Sequence, residues 1–299
     1  CGFLAGSYPA FYLSSFTPAK VLKGGVLKKG SASFIRNGLV VLQFSASTVL
    51  IIATIIFYSQ IQHVKKRDVG FNKSNLVAID LYGESVNSID AIKQEMLNTG
   101  LIKNVGLNSY NLMNGGYNGS GFGWKGKEEE FDPLVSFRSI DSDFIPTVGI
   151  ELLEGRNFYK DPVRDGYGDS LAVNYKIIIT ESFAKLMGDD SAVGKTLFRG
   201  DNKFEVVGVT KEIQYGSMFG KSDPMMFYNA PENASLLYTR INENVPQDKA
   251  IAALSSIMQK HNPAFPFEYT FVEDTFDRKF RREVLFEQLS KWFAILTLL

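Results

Sequence analysis

The sequence is short of the residues from which most metal and redox chemistry is built. Its 299 residues hold one cysteine, Cys1, so no internal disulfide and no cysteine-based metal site can form. Two histidines, His63 and His261, lie far apart with no second ligand at metal-site spacing; each reads as a surface or packed histidine. Neither sign of charge is in excess, since 32 Lys and Arg balance 32 Asp and Glu. With no RNA- or DNA-binding motif either, nothing points to nucleic acid as a partner. Catalytic signatures are missing too: there is no Gly-x-Ser-x-Gly elbow, no His-Glu-x-x-His and no Gly-x-Gly-x-x-Gly opening a helix. Ser182 and Lys185 match Ser-x-x-Lys, but the Ser-Asp-Asn and Lys-Thr-Gly elements of a penicillin-binding enzyme are absent. No catalytic, cofactor-binding or metal-binding residue is singled out, no cofactor is implied, and the expectation is a protein that is not an enzyme.

One stretch imitates a phosphate-binding loop. Residues 188–196 read GDDSAVGKT, but five residues separate Gly188 from Gly194, where a P-loop needs four to curl its N–H groups around a phosphate. The order of elements is also reversed. Upstream, Phe183, Leu186 and Met187 recur at helical spacing, and Gly188 suits a left-handed cap. Downstream, KTLFRG alternates like a strand. A structural turn is the expectation.

What the chain does have is a long charge-free run. Residues 38–58, GLVVLQFSASTVLIIATIIFY, are apolar all round, and their helical length of about 31 Å matches a hydrocarbon core of roughly 30 Å. This reads as a transmembrane helix, with Gln43, Ser45, Ser47 and Thr48 either facing other helices or bonded to their own backbone. No Gly or Pro interrupts Leu39 to Val69, about 46 Å of helix, so a stalk should project beyond the bilayer. A second stalk is expected in DTFDRKFRREVLFEQLSKWFAILTLL, where Phe276, Phe280, Val284, Leu289, Trp292 and Phe293 form one stripe. The first residue is not Met and both ends are apolar, so the chain reads as an excerpt of a longer protein. Residues 14–37 carry Lys20, Lys23, Lys28, Lys29 and Arg36 without an acid, which favours the cytoplasmic side.

Between the stalks, strands and helices mix. NLVAIDL, VNSIDAIKQEMLNTG and IKNVGLNS predict a β–α–β unit. NLMNGGYNGSGFGWKGKEEEF, rich in Gly and Asn, predicts a long flexible loop with Glu128, Glu129 and Glu130 on a solvated edge. Strands are expected in LVSFRSI, IELLEGRNF, YKIIIT, KFEVVGVT, PMMFYNA, SLLYTRI and FEYTFVE. DSDFIPTVG predicts a short helix capped by Asp141 or Ser142, and a longer helix follows Pro246. The fold class is therefore α+β, an extracytoplasmic domain of β–α–β units plus an inserted β-rich portion, carried on transmembrane α-helical stalks. The expected division is 1–13, the end of a truncated transmembrane helix; 14–37, a cytoplasmic basic connector; 38–58, a transmembrane helix; 59–69, a stalk; 70–274, the extracytoplasmic core; and 275–299, a stalk and the start of the next transmembrane helix.

Four stretches together resemble the permease subunit of a MacB/FtsX-type ABC transporter. YPAFYLSSFTPAKVLKG resembles the end of an FtsX-like membrane domain. RNGLVVLQFSASTVLIIATIIFYSQIQHVKKRDVGFN resembles the first helix of a permease half, down to the Gly-Phe-Asn after the stalk. FRSIDSDFIPTVGIELLEGRNF and IIITESFAKLMGDDSAVGKTLF resemble the MacB-type periplasmic core domain, in which the Val-Gly-Lys-Thr is a turn. The resemblance implies a multi-pass protein of the bacterial inner membrane with a large periplasmic domain. It implies an ABC ATPase partner, a homodimer or paired permease, contact with membrane lipid, and a periplasmic adaptor protein. It implies coupling of ATP hydrolysis to movement of the outer domain, for export or extraction of a peptide, drug or lipoprotein. A membrane-anchored sensor signalling through the same helices is the alternative, and an anchored enzyme a weaker third.

Overall fold

A computed structural model describes residues 29–166, 174–188, 190–221, 223–281, 284–286, 288–289 and 291–292. The expected elements at 1–13 and 14–28, and the end of the chain from 293, lie outside the described residues. The chain divides into two compact units, Cys1–Gln60 with Leu285–Leu299, and Ile61–Val284.

In chain order the elements are helix α1 (Lys29–Lys65), β1 (Leu76–Asp80), α2 (Ile89–Asn98), β2 (Ile102–Asn108), β3 (Tyr117–Gly119), β4 (Gly123–Trp124), β5 (Val135–Ile140), α3 (Phe144–Val148) and β6 (Leu152–Gly155). There follow β7 (Asn174–Thr180), α4 (Glu181–Leu186), β8 (Thr196–Arg199), β9 (Asn202–Thr210), β10 (Met225–Asn229), β11 (Leu236–Ile241), α5 (Gln247–His261), β12 (Tyr269–Phe271) and α6 (Val272–Arg278).

In the first unit, α1 exposes Leu39, Val41, Leu42, Phe44, Val49 and Ile55, large side chains on every side of the helix. Over Asn37–Lys65 it is the one helix among the described residues long and apolar enough to cross a membrane. Ser47 and Thr48 donate to the carbonyls of Gln43 and Phe44 four residues back, at 2.9 and 2.8 Å, so these hydroxyls are satisfied by their own helix. The helix already runs at Lys29, and no Pro lies between there and Asn37. It stops at Lys65, short of Val69, where the chain must turn at Gly70. Phe57 meets Phe286 edge-on, with ring centroids 5.6 Å apart.

The second unit is built on one sheet, in the order β12-β1-β11-β2-β5-β10-β7-β9-β8-β4, with β3 on β5 and β6 on β9. The expected β–α–β unit is present but split. β1, α2 and β2 run strand–helix–strand, and β11 lies between the two strands, antiparallel to both. β11, α5 and β12 repeat the arrangement around β1. Alternation then puts Val77, Ile79, Val105, Leu107 and Leu237 on one face, where Ile92 and Met96 of α2 and Leu254 of α5 cover them. Residues between β2 and β11 form the inserted β-rich portion, with its own core of Phe122, Trp124, Phe137, Ile177, Phe183, Leu197 and Val206. The structure corrects three boundaries. α3 takes Asp143, not Asp141 or Ser142, as its N-cap residue. The segment FEYTFVE gives way to helix at Val272. The Gly- and Asn-rich segment is not one loop, since it contains β3 and β4 and buries Leu112, Met113, Phe122 and Trp124.

Candidate functional site

Within the second unit, the residues after α1 are clasped by bonds from three directions. Arg67 Nη1 donates to the Gly220 carbonyl at 3.1 Å. Asp68 Oδ1 accepts the Gly70 N–H at 2.9 Å, and its Oδ2 accepts from Lys211 Nζ at 2.8 Å. The Lys211 ammonium and the Gly70 N–H together hold the Asp68 carboxyl below the usual carboxylate range. The Gln214 N–H donates to the Val69 carbonyl at 3.0 Å. Arg240 of β11 donates to the carbonyls of Asn72 (2.7 Å), Thr147 (3.1 Å) and Ser74. Burial pulls this guanidinium down to about 10, and backbone carbonyls stand where an acid would otherwise be expected.

Gly70 lets the chain turn here. Its φ is +83°, and a Cβ built on it would lie 1.8 Å from the Glu212 carbonyl oxygen, so no other residue fits without moving backbone. Phe71 is buried, and Asn72 Oδ1 accepts the Ser74 N–H at 3.0 Å. The Gly-Phe-Asn noted in the sequence is thus a turn residue, an apolar plug and a side-chain acceptor for the Ser74 N–H in succession.

The C-terminal segment from α6 onward joins the same place. Phe276 and Phe280 are buried and pack edge-on at 5.1 Å, and Phe219 meets Phe280 at 6.0 Å. The Lys73 ammonium sits 4.3 Å from the Phe276 ring centre and that of Lys65 5.5 Å from Phe280. Helical backbone resumes at Arg281 and holds at the described residues to Trp292. Residues 211–220 therefore touch both chain exits.

The same loop reaches inward. Tyr215 places its ring 5.4 Å from the Arg138 guanidinium, and Tyr110 matches it at 5.4 Å. Arg138 is fully buried in β5; Nη2 donates to the Asn114 carbonyl at 3.0 Å and Nη1 to that of Phe137 at 3.2 Å. No carboxylate pairs with it among the described residues, and its Nε has no partner. Burial lowers its pKa and pushes the Tyr215 hydroxyl up to about 12. Gly116 lies on the guanidinium so closely that a Cβ there would be 1.1 Å from Nη1. The Gly-rich segment is thus shaped by a buried cation, with Gly216 N–H to Met113 carbonyl at 3.0 Å closing the contact. An arginine inside each of two otherwise apolar strands, LVSFRSI and SLLYTRI, was the available signal for Arg138 and Arg240.

A separate cleft of about 450 Å³ lies between α2 and the turn after β5. Lys93 Nζ bridges Asp141 (2.5 Å) and Asp143 (2.8 Å) at its wall, and Asp141 Oδ1 accepts the Leu107 N–H at 2.9 Å. That engagement explains why the Asp141 side chain does not cap α3. Burial opposes the charge on Lys93, but the two carboxylates outweigh it and hold the ammonium above its ordinary range. Burial pushes the Asp141 carboxyl up.

The imitation phosphate loop is a turn. Lys195 Nζ donates to the carbonyls of Met187 (3.0 Å) and Asp190 (3.3 Å), so it caps the end of α4. The N–H groups of Gly194 and Lys195 are taken by Val206 and Ala192 carbonyls, at 2.8 and 3.0 Å. Lys185 pairs with Glu181 at 2.6 Å, and the Ser182 hydroxyl lies 3.3 Å from that of Thr180. His63 is exposed and His261 sits 3.1 Å from Glu95. Glu128, Glu129 and Glu130 are exposed. Among the described residues no three His, Cys, Asp or Glu side chains group as metal ligands would.

No curated protein matches this chain. Among solved structures, it is similar to the periplasmic region of MacB from Actinobacillus actinomycetemcomitans, at 14% identity and a TM-score of 0.46 over 71% of this chain and 95% of that one. It is also similar to the extracellular domain of the noncanonic ABC-type transporter YknZ from Gram-positive bacteria, at 14% identity and a TM-score of 0.40 over 66% of this chain and 98% of that one. Residues 29–257 match the family described as the MacB-like periplasmic core domain, and the chain belongs to that family.

Proposed function

We propose that the chain is the permease of an ABC transporter of the MacB/FtsX type and works as a mechanical relay, not as an enzyme. The observation that carries this reading is the clasp: the residues after α1, those after α6 and the loop 211–220 form one packed set, hydrogen-bonded at the first chain exit and in ring contact at the second. A rigid joint transmits displacement, whereas a free linker would absorb it. In this reading a partner ATPase inside the cell drives the membrane helices. The motion enters the periplasmic domain at residues 66–75 and 272–280 and passes through residues 211–220 to Arg138 and the Gly-rich segment. The protein is multi-pass and works as a homodimer or paired permease, with a periplasmic adaptor and a peptide, drug or lipoprotein as cargo.

The test uses the full-length parent protein purified in mild detergent. Vanadate-sensitive ATPase activity should come with it. Val64→Pro and Phe280→Pro should leave the ATPase bound and hydrolysing while transport is lost. Normal transport in both variants would overturn the relay. A clean preparation with no fused or associated ATPase would favour the sensor reading.

A further inference from the structure

The sheet ends at β12, which pairs with β1 alone among the described strands. The Asp80 N–H donates to the Glu268 carbonyl, and this fixes the parity of the ladder. Ala78 and Thr270 exchange bonds, so the N–H and C=O of Tyr269 and the N–H of Phe271 point outward. None of these three groups has a backbone partner among the described residues. Such an edge is a template for a further strand. Tyr269–Phe271 contains no Pro, Lys or Arg, so the shortness of this three-residue strand is what guards the edge.

The side chains specify what would fit. Alternation puts Phe267, Tyr269 and Phe271 on the face of Ile79, where Phe267 and Phe271 pack on the core beneath α2 and α5. Their rings form a row, 5.2 Å from Phe267 to Tyr269 and 5.9 Å from Tyr269 to Phe271, and Tyr269 is 40% exposed. Glu268 points to the opposite face beside Asp80. Burial and the Glu268 carboxylate hold Asp80 above the ordinary carboxylate range, and no cation among the described residues offsets them. A second copy of this chain is a poor occupant, because edge-to-edge pairing would bring two such acidic pairs together.

We propose that the β12 edge docks an extended segment of a partner polypeptide in which basic residues alternate with apolar ones. The segment's backbone bonds to Tyr269 and Phe271, its apolar side chains lie along the aromatic row, and its basic side chains meet Asp80 and Glu268. This is strand addition, with the ladder supplying affinity and the two faces supplying selectivity. It stands independently of the relay.

The test measures fluorescence anisotropy of labelled seven-residue peptides with the whole chain held in lipid nanodiscs. One peptide alternates Lys and Val and the other alternates Glu and Val. The Lys–Val peptide should bind saturably and the Glu–Val peptide should not. Tyr269→Pro removes an outward N–H without touching the bonds to β1, and should weaken binding at least about tenfold. Glu268→Lys, at an exposed position, should weaken the Lys–Val peptide and admit the Glu–Val peptide. A Lys–Val peptide N-methylated on its pairing edge should fail against the unaltered chain, which decides the backbone component even if Tyr269→Pro does not fold. Absence of saturable binding, equal binding of the two peptides, or unchanged affinity with the methylated peptide and with Glu268→Lys would each overturn the proposal. So would a dimer of this chain that Glu268→Lys strengthens or weakens while neither peptide binds.

Discussion

Gly70 shows how much can depend on one missing methyl group. Its positive φ and the Glu212 carbonyl beneath it leave no room for a side chain. Gly70→Ala should cost roughly 1–3 kcal/mol, read as a lower melting temperature, and should weaken coupling between ATPase and transport more than ATPase itself. Lys93 is a second such residue. Lys93→Met leaves Asp141 buried without its cation, at a cost of roughly 3 kcal/mol near neutral pH. The sign with pH follows from the direction of the Asp141 shift. A carboxyl whose folded pKa is raised penalises the fold above that pKa and is relieved as pH falls through it, so the deficit of the variant should shrink on acidification. Denaturant unfolding at a series of pH values checks this, and a deficit that grows toward acid would refute it.

At the scale of elements, the Gly- and Asn-rich segment carries the clearest contrast between pattern and packing. Its sequence has no period and predicts a flexible loop, yet it holds two short strands and wraps a buried guanidinium. Gly116 and Arg138 should therefore be energetically coupled. Gly116→Ala should be severely destabilising alone, and much less so in an Arg138→Ala background where the colliding Nη1 is gone. Additive costs in that double-mutant cycle would mean the contact does not exist. The clasp makes a related prediction for the linker. The Asn72 amide, which donates to the Val148 carbonyl of α3, and the Gln214 amide, which donates to the Val69 carbonyl, should exchange hydrogen far more slowly than amides of a free linker would. Exchange there at the rate of an unstructured peptide would remove the physical basis of the relay.

For the whole molecule, the arrangement of two interleaved strand–helix–strand units explains how the two chain exits come together. β1 and β12 are neighbours although far apart in sequence, so the segment that enters the domain and the one that leaves it meet at the same end of the sheet. The inserted β-rich portion continues the sheet from β2 through β5, so the proposed relay would run along one continuous set of strands. Reconstitution with the partner ATPase should therefore show ATP-dependent changes in exchange protection at residues 211–220 and 110–116 together. A change confined to one of the two would break the proposed route.

Local chemistry sufficed wherever the answer lay within a few residues. The charge-free run, the helix VNSIDAIKQEMLNTG, most strands and the turn at Gly194 were legible in the sequence, because hydrophobic period and glycine placement are local signals. The five-residue gap between Gly188 and Gly194 excluded a phosphate loop without any structure. The tertiary structure alone decided that β11 would enter the first strand–helix–strand unit. It also decided that Asp141 would pair with Lys93 instead of capping α3, and that Arg138 would order a glycine-rich segment. Each of these depends on which non-local residues meet, from 24 residues apart for Arg138 and Asn114 to more than a hundred for β11 and β2, and such pairing leaves no period in the sequence to read.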